Sequence, residues 1–149
     1  MNRAIFKTES DPAKPAANYN PRQSDYEEQL RLLNEKLKNS GERRKATYER
    51  SSAEEREDAA AALRKKYIEN RFAVKRLPQV SAARGLSGGA VRSAFRKTLA
   101  DYGEGRENLI KERDRAVAKL LESYEQGNQK DYETYASRLD ALRRKYAGL

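Results

Sequence analysis

Residues 77–91, Leu-Pro-Gln-Val-Ser-Ala-Ala-Arg-Gly-Leu-Ser-Gly-Gly-Ala-Val, separate two long, charge-rich segments that have helical spacing. They contain three of the eight glycines and one of the four prolines of the chain. Pro78 disfavours helical geometry at the residue before it and so ends the preceding helix. Gly85 can then adopt the left-handed conformation that ends a short helix at 79–84. Ser87 is a suitable N-cap for a helix that starts at Gly88. This stretch therefore predicts a helix, a sharp reversal and a second helix.

The composition favours long helices over a thick core. Hydrophobic residues and charged residues each make up 37% of the 149 residues, and the mean hydropathy is -1.09. Alanine supplies much of the apolar fraction, so large core-forming side chains are sparse. Such a balance suits helices that share a narrow apolar seam. We expect an all-α fold, an elongated antiparallel helical hairpin of coiled-coil type.

The segments on both sides of the reversal carry apolar residues at alternating spacings of three and four, as in helices that pack along one seam. The polar Asn70 is expected to lie in that seam and to fix its register. The expected seam residues are Tyr26, Leu30, Leu33, Leu37, Ala60, Leu63, Tyr67, Asn70, Val74, Leu77, Val91, Phe95, Tyr102, Leu109, Ala116, Leu120, Tyr124, Tyr132, Tyr135, Leu139, Leu142 and Tyr146. Because several helices have only one seam, we also expect a homo-oligomer. Leu30, Leu33, Leu139 and Leu142 are expected to be buried either between chains or between the helices of the two termini.

Local signals predict where the helices begin and end. The pair Ser24 and Glu27 forms a capping box, Asn39-Ser40-Gly41 and Gly127-Asn128 predict stops, and Gly103 and Gly105 predict a kink or a close crossing. The expected helices cover about 24–39, 42–77, 88–126 and 129–147. The first and last flank a hairpin made by the middle two. The domain prediction is an extended arm at 1–23, rich in proline, followed by a helical bundle at 24–149 with its bend at 77–90.

Several classes of function are disfavoured by the residue types that are absent. The chain has no cysteine and no histidine, which removes disulfides, thiolate metal sites and the commonest general base. Its carboxylates alternate with arginines as on a solvated helix face, and no phosphate-binding loop motif is present. We expect no enzyme activity, no cofactor and no metal. The N-terminus does not resemble a signal peptide and no window is long and apolar enough for a membrane span, so we expect a location in a virion or in the host cytoplasm.

The net charge of +9 is concentrated around the reversal. Between residues 64 and 97 there are ten Lys and Arg residues and one acidic residue, Glu69, whereas the rest of the chain carries 22 basic and 22 acidic residues. A basic end of this kind attracts phosphates or an acidic protein surface. The residues expected to contact such a partner are Arg84, Gly85, Ser87, Gly88, Gly89, Arg92, Arg96 and Lys97.

Two interpretations of the basic bend remain open. In the first, the bend is a helix-turn-helix in which Arg92, Arg96 and Lys97 face DNA, although Gly88-Gly89-Ala90 has no side chains that could read base edges. Any nucleic-acid contact would then be to phosphates. In the second, the two glycines let a partner protein approach the backbone at a helix N-terminus, where free N–H groups attract a carboxylate.

The bend also carries a resemblance. Leu77-Pro78-Gln79 followed by Ala83-x-Gly85-Leu86-Ser87-Gly88-Gly89-Ala90, between two helical arms, resembles a group of small coiled-coil proteins of tailed bacteriophages and prophages. The likeness covers roughly residues 60–125. Members of this group usually have an acidic or serine-rich stretch after Gly-Gly-Ala, where this chain has Val91-Arg92-Ser93. The resemblance implies a structural or assembly role in a bacteriophage particle, with a larger viral protein assembly as the partner.

Overall fold

The structure, a computed structural model, describes residues 20–147, and 94% of these residues are helical with no strand. Two helices make up this part of the chain: α1, Pro21–Ala83, and α2, Gly89–Lys145. At 1.5 Å per residue their 63 and 57 residues correspond to about 95 Å and 85 Å. The prediction of an all-α chain is confirmed for the described residues.

Helix α1 begins three residues before the predicted capping box. Asn20 is the N-cap, and its Oδ1 accepts a hydrogen bond from the N–H of Arg22 at 3.1 Å. Pro21 occupies the first helical position, where its fixed φ and missing N–H cost nothing. Residues 21–23 therefore belong to a helix, which corrects the arm prediction at 1–23. The remainder of that prediction, residues 1–19, lies outside the described residues.

The predicted internal breaks do not occur, so the segments expected as separate flanking helices are continuous with α1 and α2. At the first predicted stop, Ser40 donates a hydrogen bond to Asp131 of α2. At the second, Gly127 is buried against α1. One glycine costs about 1 kcal/mol inside a helix, and contacts with the other helix outweigh this cost at both places.

Pro78 also lies inside α1, which continues for five residues beyond it. The prediction that the helix ends before Pro78 is wrong because the seam extends past it. Val74 and Leu77 are half-buried, and Ser81 is only 3% exposed. The reversal is therefore confined to residues 84–88, within the predicted interval 77–90.

The two helices pack against each other and run in opposite directions. Near one end, the rings of Tyr26 and Tyr146 are 5.5 Å apart, edge to face. Further along α1, Tyr48 stacks on Tyr124 at 5.4 Å. Each step forward along α1 thus corresponds to an equal step backward along α2, and the residue numbers of facing positions add up to nearly the same value throughout.

The inward-facing positions recur every eleven residues, not every seven. In α1, each half-buried or buried position of the central row follows the previous one by eleven residues: Tyr26, Leu37, Tyr48, Ala59, Asn70 and Ser81. In α2, the corresponding row is Thr98, Leu109, Leu120, Asp131 and Leu142. Eleven residues fill three turns at 3.67 residues per turn, close to the natural period, so such helices need almost no supercoiling to stay in contact.

This period corrects part of the predicted seam. The three-four spacing predicted Tyr67, Phe95 and Tyr132 inside the seam. They are 47%, 40% and 63% exposed and therefore lie outside it. Asn70 is in the seam as predicted, half-buried, and its Oδ1 has no hydrogen-bond partner in the described protein. The core is thin: no described side chain is less than 2% exposed.

Pro78→Ala is expected to stabilise the fold, because it restores the N–H that α1 lacks at this position and removes the proline ring from the preceding turn. We expect the free energy of unfolding to rise by about 1–3 kcal/mol, as measured by urea denaturation followed by circular dichroism. Gln79→Ala, one residue further on, is the matched control and should change stability little. A loss of stability in Pro78→Ala would show that the proline supports the reversal.

Candidate docking site at the basic end

The reversal begins with a motif that ends α1 and that depends on the left-handed conformation of Gly85. The N–H of Leu86 donates to the carbonyl of Ser81 at 2.9 Å, and the N–H of Gly85 donates to Ala82 at 3.0 Å. This pair of bonds is the Schellman arrangement, which requires a left-handed residue directly after the helix. Gly85 has a φ of 68°. The predicted role of Gly85 as a left-handed stop is confirmed, with α1 as the helix that it ends.

The start of α2 differs from its prediction. The N-cap is Gly88, with a φ of 55° and a ψ of -114°, and no side chain caps this helix terminus. Ser87 contributes its carbonyl, which accepts from the N–H of Ala90 at 3.2 Å. The side-chain cap expected from Ser87 is therefore absent, and a backbone turn takes its place. This turn uses Gly88 in a conformation that would strain other residues.

All of the predicted site residues are exposed, and the reversal brings them to one end of the molecule: Arg84, Gly85, Ser87, Gly88, Gly89, Arg92, Arg96 and Lys97. Gly89 is the first residue of α2, and a Cβ built on it would meet no atom within 4 Å. The backbone of this turn is therefore open to close approach by another molecule.

The net positive charge is densest near the reversal between α1 and α2. Asp101, Glu104 and Glu107 of α2 lie alongside the first part of the basic segment of α1, and they offset some of its charge. Residues 75–97, in contrast, carry six Lys and Arg residues and no acidic residue. We therefore define the basic end as residues 75–97. Val80 and Leu86, 44% and 39% exposed, place apolar surface among these charges.

A second polar cluster, which the sequence pattern did not reveal, joins the helices far from the basic end. The guanidinium of Arg44 donates from Nε and Nη2 to the carboxylate of Asp131 at 2.8 Å and 2.9 Å. It is the one ion pair between α1 and α2 in residues 20–147. Arg44 crosses directly over Gly127, where any Cβ would clash with the guanidinium. In the sequence, Gly127 was the feature that could have indicated this cluster, because a small residue in a seam leaves room for a long side chain on the facing helix.

A similar close approach occurs at Gly105, where a Cβ would lie 2.5 Å from Cε of Lys66. This confirms the expectation of a close crossing at Gly105. No such approach exists at Gly103, where a Cβ would be in open space, and α2 continues as a helix through both glycines. Small residues on α2 thus accommodate long basic side chains of α1.

Hydrogen bonding lowers the pKa of two carboxyl groups in the interhelix seam. The pKa of Asp131 is lowered mainly by its bond to Arg44 and further by Ser40. The pKa of Asp25 is lowered mainly by Tyr146 and then by Gln29. Both arrangements link α1 to α2 by hydrogen bonds between side chains.

Metal-ligand clusters and membrane spans were considered for residues 20–147. No group of three or more potential metal-ligating carboxylates occurs there. Neither helix has a segment apolar enough to cross a membrane. Comparison of the chain with protein-family models, curated proteins and solved structures gave no match.

Asp131→Asn is expected to reduce the pH dependence of stability. Because the folded pKa of Asp131 is lowered, its contribution is fully present above the ordinary aspartate value of about 4 and is lost as the pH falls through the lowered pKa. Urea denaturation at several pH values should show a smaller acid destabilisation in the variant than in the original chain. Asp140→Asn, which removes an ion pair within α2 alone, is the control. An unchanged pH profile for Asp131→Asn would contradict this role.

Proposed function

We propose that this chain is a non-enzymatic structural or assembly component of a bacteriophage particle. In this proposal, α1 and α2 form an antiparallel hairpin of coiled-coil type that docks through its basic end on an acidic protein surface. Its partner is a larger viral protein assembly, and it resides in the virion or the host cytoplasm. The resemblance of the reversal sequence to small coiled-coil phage proteins supplies the phage context.

One observation carries the docking role: a charge of +6 is concentrated at the reversal of a rod about 90 Å long. At physiological salt, fields from exposed charges fade over about 8 Å, so the uninterrupted run of basic residues gives this end a strongly positive surface. A partner with clustered carboxylates would be attracted to the tip and oriented by it.

Three features favour a protein surface over nucleic acid as the partner. Exposed Val80 and Leu86 offer apolar contacts that phosphates do not use. The start of α2, Gly89-Ala90, has no side chains long enough to reach base edges. A helix-turn-helix also crosses its two helices at about 90–120°, whereas α1 and α2 run alongside each other. Binding of nucleic acid through its phosphates is therefore the alternative that the experiments below test.

Gly89→Leu is expected to block incorporation into the parent particle and to leave helicity unchanged. The new side chain projects into open space, so it can clash only with a docked partner. Ala118→Leu is the control, because Ala118 is also exposed on α2 but lies outside the basic end. Particles assembled with each variant would be purified and their content of this protein measured by mass spectrometry.

Nucleic-acid binding would be tested in parallel with Arg92→Ala and Arg96→Ala. If the basic end contacts phosphates, each variant should weaken all sequences equally and reduce the salt slope of binding by about one unit. Normal incorporation of Gly89→Leu together with such binding by the original chain would overturn the docking proposal. Absence of the original protein from purified particles would overturn the structural role.

A further inference from the structure

A second apolar row lies on α2, outside the interhelix seam. It consists of Leu99, Ile110, Leu121 and Tyr132, each eleven residues after the previous one, and we call it the flank stripe. Every member follows a residue of the central inward row and therefore points about 100° away from it. Leu99 and Leu121 are 43% and 40% exposed, Tyr132 is 63% exposed, and Ile110 is half-buried.

Successive members of the flank stripe lie about 16 Å apart, and the row spans about 50 Å of α2. Arg106 and Asn128 lie on its side of the helix before Ile110 and Tyr132. Phe95 and Val117 precede Leu99 and Leu121 by four residues and thus lie on the same side of the helix. Single exposed hydrophobic residues are normal on a monomer, but an apolar row along half of a helix marks an interaction surface.

We propose that the flank stripe binds a second copy of this chain, with α2 packed antiparallel against α2 of the other copy. The stripe repeats every eleven residues, so its partner must be a long and nearly straight helix with the same repeat. The chain itself has such a helix. A two-fold axis between Ile110 and Leu121 places Leu99 opposite Tyr132 of the other copy and Ile110 opposite Leu121. The surface is thus self-complementary, as a two-fold interface must be.

The distribution of charge along the chain favours antiparallel pairing of the two α2 helices over parallel pairing. Residues 99–132 contain six basic and eight acidic residues, so the paired segments carry only a small net charge. A parallel pairing would place the two basic ends, residues 75–97 of each copy, side by side, where like charges repel. The antiparallel pairing places them at opposite ends of the dimer.

The seam leucines that the sequence suggested for self-association pack within the chain: Leu142 is only 8% exposed, and Leu30, Leu33 and Leu139 are half-buried. The flank stripe replaces them as the dimer surface.

The test is analytical ultracentrifugation of the original chain and of Leu121→Lys. We expect the original chain to be a dimer at micromolar concentration. Two copies of Leu121→Lys each lose a buried leucine, so the dissociation constant should rise by about 100-fold or more. Leu32→Lys is the matched control, because Leu32 is 51% exposed and lies on α1, away from the stripe. Circular dichroism should show equal helicity in all three proteins, since Leu121 is already exposed in the monomer.

A spin label on Ala100→Cys tests the direction of pairing, because the chain has no native cysteine and Ala100 is exposed and off the stripe. In the antiparallel dimer the two labels are separated by about 45 Å along the axis, whereas in a parallel dimer they lie side by side. A monomeric original chain, an unchanged dimer in Leu121→Lys, or a short label distance would each overturn the proposal. The stripe lies outside the basic end, so Gly89→Leu should dimerise normally whether or not the docking proposal holds.

Discussion

The contact between α1 and α2 is the interaction on which every other feature of this molecule depends. It is long but thin: a few aromatic and leucine side chains alternate with alanine, glycine and serine, and each helix contributes about three inward positions per eleven residues. No single position dominates it. The stability of the rod is therefore a sum of many small terms along its length, and its polar members, such as the Arg44–Asp131 pair, fix the register between the helices.

A seam of this kind has consequences for where function can be located. No side chain between residues 20 and 147 is less than 2% exposed, so the features that distinguish this part of the molecule lie on its surface. Two of these features are the basic end and the flank stripe. They are separate along the rod, so contact at one leaves the other free.

Sequence patterns predicted the helical class, the place of the reversal and the left-handed role of Gly85 because these follow from local chemistry. They failed at Ser40-Gly41 and at Gly127, where a local cost is outweighed by packing against a part of the other helix more than 80 residues away in sequence. They also failed at Pro78, where the seam continues past the proline. The exposed Tyr132 was misplaced for another reason. Over short windows a spacing of three and four fits repeats of seven and of eleven equally well, and only the full length of the helices separates them.

The eleven-residue repeat also limits how a molecule of this design can change in length. Removing one residue from either helix would rotate everything beyond it by about 100° and would turn the seam toward solvent. Removing eleven residues from α1 and the eleven that face them in α2 would restore every row in its original orientation. The length of a rod with this repeat can therefore change only in increments of about 16 Å if its seam is to be preserved. The distance between the two ends of the molecule is restricted in the same way.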